Sequence, residues 1–152
     1  MNYSYHWYYN VIISKEIRDL IVKEIKMFIE LNKHIKLKGL HEKRCFCFDY
    51  SSPIINTETI FFNGLDEPGD AFIFNFDHVQ KNGVCNTYKK PYDLIVKLSL
   101  LSMSNHMLNF KFNTDETYDD WKYAIQLYTN YVGNLNLDFD RHEFRSVSSD
   151  FI

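Results

Sequence analysis

The chain has 152 residues, 45% hydrophobic and 24% charged, which suits one packed domain with a real core. A formal net charge of −3 excludes the strongly basic balance of a general nucleic-acid binder. Aromatic residues make up 17%, and aromatics favour strands, so the core is expected to be rich in β-structure.

The N-terminus alternates. Tyr3, Tyr5, Trp7, Tyr9, Val11 and Ile13 fall on one side, with Asn2, Ser4, His6 and Asn10 on the other, the period of a half-buried strand. Ser14 can cap a following amphipathic helix, in which Ile17, Leu20, Ile21, Ile25, Phe28 and Ile29 recur at helical spacing. A basic loop, Lys33 to Arg44, comes next. Phe46, Phe48 and Tyr50 then share one face of a strand whose other face carries Cys45 and Cys47. Further strands are expected at 57–64, closed by Asn63-Gly64, and at 71–77, where Phe72, Phe74 and Phe76 alternate. Asn82-Gly83 reads as a turn.

The run "KKPYDLIVKLSLL" starts a second helix. Pro91 suits its first turn, and the apolar residues surround nearly its whole circumference, so it should be central and buried. Leu108, Phe110 and Phe112 mark another strand. In the third helix Thr117 and Asp120 form a capping box, Trp121, Ile125, Tyr128 and Val132 form the apolar stripe, and Gly133 ends it. Residues 134–139 suggest a last edge strand. The order, about β-α-β-β-β-α-β-α-β, predicts an α+β fold: a single layer of mostly antiparallel sheet, with about five to seven strands, packed by three helices. The domain is expected to span 1–140, with a polar, mobile tail at 141–152.

Charge is uneven along the chain. Residues 1–44 carry nine Lys/Arg against five Asp/Glu, and residues 113–152 carry three against eight. The six histidines form no H-E-x-x-H arrangement. Three cysteines, no leader-like start and no apolar run long enough to cross a bilayer point to a reduced, cytoplasmic protein with no membrane partner. Cys45, Cys47 and Cys85 with His41 or His78 could form a metal set, and Cys85 with His78 a nucleophile–base pair. Neither spacing is specific, cysteine buries readily as a small hydrophobe, and no cofactor is expected. Asp115, Glu116, Asp119, Asp120, Asp138 and Asp140 could hold Mg²⁺ for phosphoryl chemistry, although carboxylates in the first turn of a helix also answer its dipole. Glycine-rich phosphate loops are absent. Thr87, Lys89, Lys90 and Tyr92, with the amides of a helix start, could instead hold an anion, Tyr88 or Tyr92 stacking on a base.

Taken together, "IFFNG" (60–64), "FIF" (72–74), "CNTYKKPYD" (85–93) and "FNTDETYDDWKYAIQLY" (112–128) resemble a family of small, largely uncharacterised proteins encoded by bacteriophages and some bacteria. The likeness spans about residues 57–133, and Lys-Pro-Tyr-Asp is its most specific part. The chain has Asn86 where that pattern carries Lys, and Asn113 to Glu116 where it carries Ser-Ser-Asp-Gly. The resemblance implies a phage-type accessory protein in the host cytosol, and it directs attention to Asn63, Thr87, Lys90, Tyr92, Asp93 and Asp115. Lys89 joins them as the second cation of the block. These residues define the expected ligand site. The expected function is non-covalent binding, as an inhibitor of a host defence factor or a sponge for its nucleotide signal. One alternative is a metal-dependent hydrolase or phosphodiesterase using Asp115, Asp138 or Asp140. Another is a protein–protein inhibitor or immunity-type module without a small-molecule ligand. A homo-oligomer is compatible with each, because edge strands pair readily.

Overall fold

Alternation at the N-terminus produces strand β1 (Ser4–Tyr8), in which Tyr5 and Trp7 are buried while His6 and Tyr8 face out. The structure, a computed structural model, describes residues 3–10, 12–39, 41–44, 47–77, 82–140 and 142–146, with the backbone alone at 41–44, 47–50 and 146. Helix α1 (Lys15–Leu31) begins at Ser14, whose hydroxyl accepts from the Ile17 amide at 3.3 Å as the capping pattern predicts. Its buried stripe is Ile21, Val22, Ile25 and Phe28, interrupted by one carboxylate, Glu24. Leu20, expected on that stripe, is exposed.

The middle of the chain is a run of short strands: β2 (Leu37–Lys38), β3 (His41–Arg44), β4 (Cys47–Tyr50), β5 (Ile54–Ile55), β6 (Thr59–Gly64), β7 (Phe72–Asn75) and β8 (Asn82–Asn86). The basic segment expected as a loop therefore carries β2 and β3, which pair antiparallel with β6 and β4. Asn82-Gly83 is not a turn. It lies inside β8, opposite Tyr8 and Trp7, and a Cβ on Gly83 would stand 2.2 Å from the Trp7 indole. Glycine is needed there for the close approach of a ring, not for chain reversal.

Helix α2 (Asp93–His106) is buried on almost every side, strand β9 (Lys111–Thr114) follows, and helix α3 (Tyr118–Tyr131) opens on the expected capping box, with the Thr117 amide donating to Asp120 Oδ2 at 2.9 Å. Gly133, just past α3, has φ +132°, which suits glycine after a helix end. β10 (Leu137–Asp140) and β11 (Glu143–Ser146) are the last elements among the described residues. The fold is α+β, with three helices and antiparallel strands among the described residues, as the sequence predicts.

The strands hydrogen-bond in three groups: a five-stranded sheet in the order β10-β11-β9-β1-β8, a set of β2, β5 and β7 around β6, and the β3–β4 ladder. Asp70 links the first two, since its amide donates to the Asn86 carbonyl at 2.9 Å and its carboxylate accepts from the Asn86 amide at 3.0 Å. The segment expected as a mobile tail supplies β11, which inserts between β10 and β9. Phe144 explains why, being buried with its ring 4.8 Å from Phe112 and 4.7 Å from Trp121. The expected domain boundary at 140 thus falls inside a hairpin.

One topological feature positions the site. β1 is antiparallel to both β8 and β9, so those two run parallel, with α2 crossing between them and β1 inserted in the gap. The start of β1 therefore lies beside the ends of β8 and β9, where α2 and α3 begin.

Candidate functional site

At this junction the end of β8 delivers Thr87, α2 delivers Asp93 and Lys97, the chain after β9 delivers Asp115 and Glu116, and β1 delivers Tyr5 between them. The Thr87 amide donates to the Tyr3 carbonyl at 3.0 Å and the Ser4 amide to Asp115 Oδ1 at 3.2 Å, fastening both flanking segments to β1.

Beneath them lies a closed ionic cluster. Lys97 Nζ stands 3.1 Å from Asp93 Oδ2 and 2.8 Å from Glu116 Oε2, and donates to the Asp120 carbonyl at 3.0 Å. The Tyr5 hydroxyl lies 2.6 Å from Asp93 Oδ1 and in short contact with Glu116 Oε1, and Thr87 Oγ1 makes another short contact with Asp93 Oδ1. Glu116 and Thr87 are fully buried, with Asp93 and Lys97 almost so. Burial, then the two carboxylates, pushes the Tyr5 hydroxyl far above its ordinary range. Burial alone pulls the Lys97 ammonium down, but Asp93 and Glu116 outweigh it and leave its pKa raised. Burial raises Glu116 against the opposing pull of Lys97 and Tyr5.

The expected site residues divide accordingly. Thr87 and Asp93 belong to the buried cluster and Asp115 to its edge. Tyr92 is fully buried, and its hydroxyl donates to the Asp70 carbonyl at 2.6 Å, so the ring is not available to stack on a base. Asn63 lies apart, where its side chain clamps a loop by donating to the Gly69 carbonyl at 2.9 Å and accepting from the Gly64 and Gly69 amides. The positive end of α2 is already faced by the Asp93 carboxylate, which leaves little call for an external anion. The pocket nearest these residues holds about 160 Å³ between His34, Lys36, Gly64, Asp66, Glu67, Pro91 and Tyr92, with both signs of charge on its walls.

Tyr88, Lys89 and Pro91 are the exposed residues of the block, with Lys90 half-buried among them. The Lys90 amide donates to the Thr87 carbonyl at 3.0 Å, and the two residues between, Tyr88 and Lys89, have φ of 52° and 60°. An i to i+3 hydrogen bond with positive φ at both central residues is the pattern of a type I′ turn, normally filled by Asn-Gly. Side-chain crowding in this region costs roughly 1–2 kcal/mol per residue. Tyr88 is 55% exposed at the tip, and Lys89 Nζ lies 5.4 Å from the centre of the Tyr3 ring.

Sequence reasoning missed Tyr5 and Lys97. The signal for Lys97 was one cation inside the apolar run of α2. It also missed a second polar cluster, at the far end of α2. There Glu24 Oε1 accepts from Ser102 at 2.9 Å and makes a short contact with the Tyr128 hydroxyl, while Oε2 lies 2.6 Å from His106 Nε2. Glu24 on the apolar stripe of α1 was its signal. His106 also lines a pocket of about 420 Å³ whose other walls are Ile12, Ile13, Ser14, Ile17, Met107 and Leu108.

The metal-dependent alternative finds no support here. Among the described residues no three His, Cys, Asp or Glu side chains are grouped to hold a metal ion. Asp115 is engaged by Ser4, and Asp138 and Asp140 point outward from β10. Cys45 and His78 lie outside the described residues, and the Cys47 and His41 side chains are not described. Cys85 is fully buried, and its burial, then Asp70 and Asp93, pushes the thiol well above its ordinary range, the opposite of an activated nucleophile. Among the described residues no helix is long and apolar enough to cross a membrane.

No protein-family model matches the chain, and no match was found among curated proteins or solved structures. The likeness to phage-encoded proteins rests on its motifs alone.

Proposed function

We propose that the protein acts by non-covalent binding of a protein partner, with the Tyr88-Lys89 turn at the centre of the contact. One observation carries this reading: two consecutive residues with side chains occupy the left-handed positions of a tight turn and hold an exposed tyrosine at its tip. Stability alone favours Asn-Gly at these positions. Strain kept at a solvent-facing aromatic points to use of that aromatic. Tyrosine is a common hot-spot anchor, and Lys89 and Lys90 beside it suit a partner surface that presents carboxylates. In the setting that the phage likeness implies, the partner is a host defence factor and the protein its inhibitor.

The nucleotide-signal version draws on the same Tyr88, Lys89 and Lys90. It is less favoured, because Tyr92 and Asp93 are engaged inside the fold and Asp115, Glu116 and Asp120 lie close by.

Affinity capture from host lysate with the wild type and with Tyr88→Ala tests the reading. The expected result is one stoichiometric partner held by the wild type and lost by the variant. Equal recovery by both proteins refutes it. Heat on titration with mono-, cyclic or ADP-ribose-type nucleotides, abolished by Lys90→Ala, favours the nucleotide version instead.

A further inference from the structure

The cluster beneath the turn is short of protons. Two hydroxyls, Tyr5 and Thr87, serve three oxygen–oxygen contacts: Tyr5 with Asp93, Tyr5 with Glu116, and Thr87 with Asp93. Each hydroxyl carries one proton. Thr87 uses its own on Asp93, and Tyr5 can serve only one of its two carboxyl neighbours. Lys97 cannot supply the difference, since its ammonium faces the two other carboxylate oxygens and the Asp120 carbonyl. Two facing oxygens with no proton between them repel, and in a buried site that repulsion is poorly screened.

We infer that Glu116 is a carboxylic acid at neutral pH, sharing its proton with Tyr5, and that loss of this proton at alkaline pH loosens the Tyr88-Lys89 turn. Glu116 carries the proton because it is the more buried of the two carboxyls. Its Oε1 faces the Tyr5 hydroxyl, where the shared proton can sit, while Oε2, as the carbonyl oxygen of the acid, stays 2.8 Å from Lys97 Nζ. Other charged or titratable groups face the cluster from every side. From α2 and its approach come Lys97, Asp93 and Tyr92, from α3 Asp120, from β8 Cys85, and from the turn Lys89. Behind Cys85 lies Asp70, and the His142 ring meets the Glu116 carbonyl at 2.7 Å. Among these, the cation that touches a Glu116 oxygen is Lys97, and Asp93 shares it.

Ionising Glu116 sets two carboxylates against one ammonium, with Tyr5 able to bridge only one of them. Asp93 and Thr87 flank the turn directly, so the strain falls on residues 88–92. A glutamate whose pKa is raised in the folded state stabilises fully below its unfolded value of 4.5, and that contribution is lost as pH rises through the folded value. The turn should therefore be held tightest on the acid side of this window.

The consequence for partner binding rests on the reading of the turn as a contact surface, but the test uses the free full-length protein and is independent of any partner. Carboxyl-carbon NMR is followed across a pH titration, together with amide hydrogen exchange at Tyr88 and Lys90, whose N–H groups donate to Asn86 Oδ1 and to the Thr87 carbonyl. Glu116 is expected to keep the shift of its acid form where surface glutamates have ionised, and the protection of the two amides, taken relative to the base-catalysed rate of an open chain at the same pH, to fall several-fold once it titrates. Glu116→Gln, which cannot ionise, should keep them protected at alkaline pH. The inference fails if Glu116 titrates with the surface glutamates, or if exchange at the turn ignores its ionisation. Both outcomes can be read on the wild type alone.

Discussion

Helix α2 carries a buried polar cluster at each end, and the two are built on opposite terms. At its C-terminal end one carboxylate, Glu24, is met by Ser102, Tyr128 and His106, so the donors cover the charge. At its N-terminal end two carboxylates, Asp93 and Glu116, share one ammonium and two hydroxyls, so acceptors outnumber protons. The first arrangement joins α1, α2 and α3 and borders an apolar pocket. The second lies under a strained, exposed turn. A satisfied cluster rigidifies, whereas a proton-poor one responds to pH and to anything that moves the loop above it.

The sharpest way to break this contrast is to remove the single cation. Lys97→Ala leaves the buried Asp93 carboxylate without its counter-charge and the Glu116 carboxyl without its neighbouring ammonium, and should cost about 3–5 kcal/mol in urea unfolding. A cost no larger than that of Glu24→Ala would make the two ends equivalent. Glu24→Ala itself strands the buried hydroxyls of Ser102 and Tyr128 and should cost about 3 kcal/mol, at one to two for each orphaned group. The penalty of Lys97→Ala should grow on the alkaline side, where Glu116 ionises and needs the ammonium.

The turn offers a change of opposite sign. Replacing Tyr88-Lys89 with Asn-Gly suits the positive φ values and should stabilise the fold by about 1–2 kcal/mol in the same assay while abolishing partner capture. Stability and capture lost together would mean that the tyrosine serves the fold. The smallest effect concerns the cap of α3. Thr117→Ala should cost about 1 kcal/mol by thermal or urea unfolding. The Thr117 amide and hydroxyl hold the Asp120 carboxyl below its ordinary 3.8. That contribution is present above 3.8 and is lost as pH falls through the lower, folded value, the reverse of Glu116.

Much of this architecture was legible in the residues. Local periodicity located β1, α1, α2 and α3, and the caps at Ser14 and Thr117 follow from side chains that reach their own helix amides. These are short-range interactions that a linear sequence displays. The misreadings share a cause. Gly83 looked like a turn because Asn-Gly usually is one, but the Trp7 ring that requires it lies on a strand far away in sequence. The segment at 141–152 looked like a tail because it is polar, yet one buried residue, Phe144, ties its described part, residues 142–146, into the sheet.

The candidate site was half legible for the same reason. Thr87, Asp93 and Asp115 could be singled out as strand ends and helix starts, and the structure brings them together through β1. Tyr92 carried the same signature, but its ring is buried and its hydroxyl is spent on Asp70. By itself the sequence determined the fold class, the existence of α1, α2 and α3 and the central place of α2, because propensity, capping and hydrophobic period act over a few residues, although α2 begins at Asp93 and leaves Pro91 ahead of its cap, Tyr92. Only the tertiary structure decided that Tyr5, Lys97 and Glu116 form one cluster, that the Lys-Pro-Tyr-Asp block is mostly internal scaffolding, and that Tyr88 is its exposed tip. Those outcomes depend on which strands become neighbours, and β1 lies far from its partners β8 and β9 along the chain.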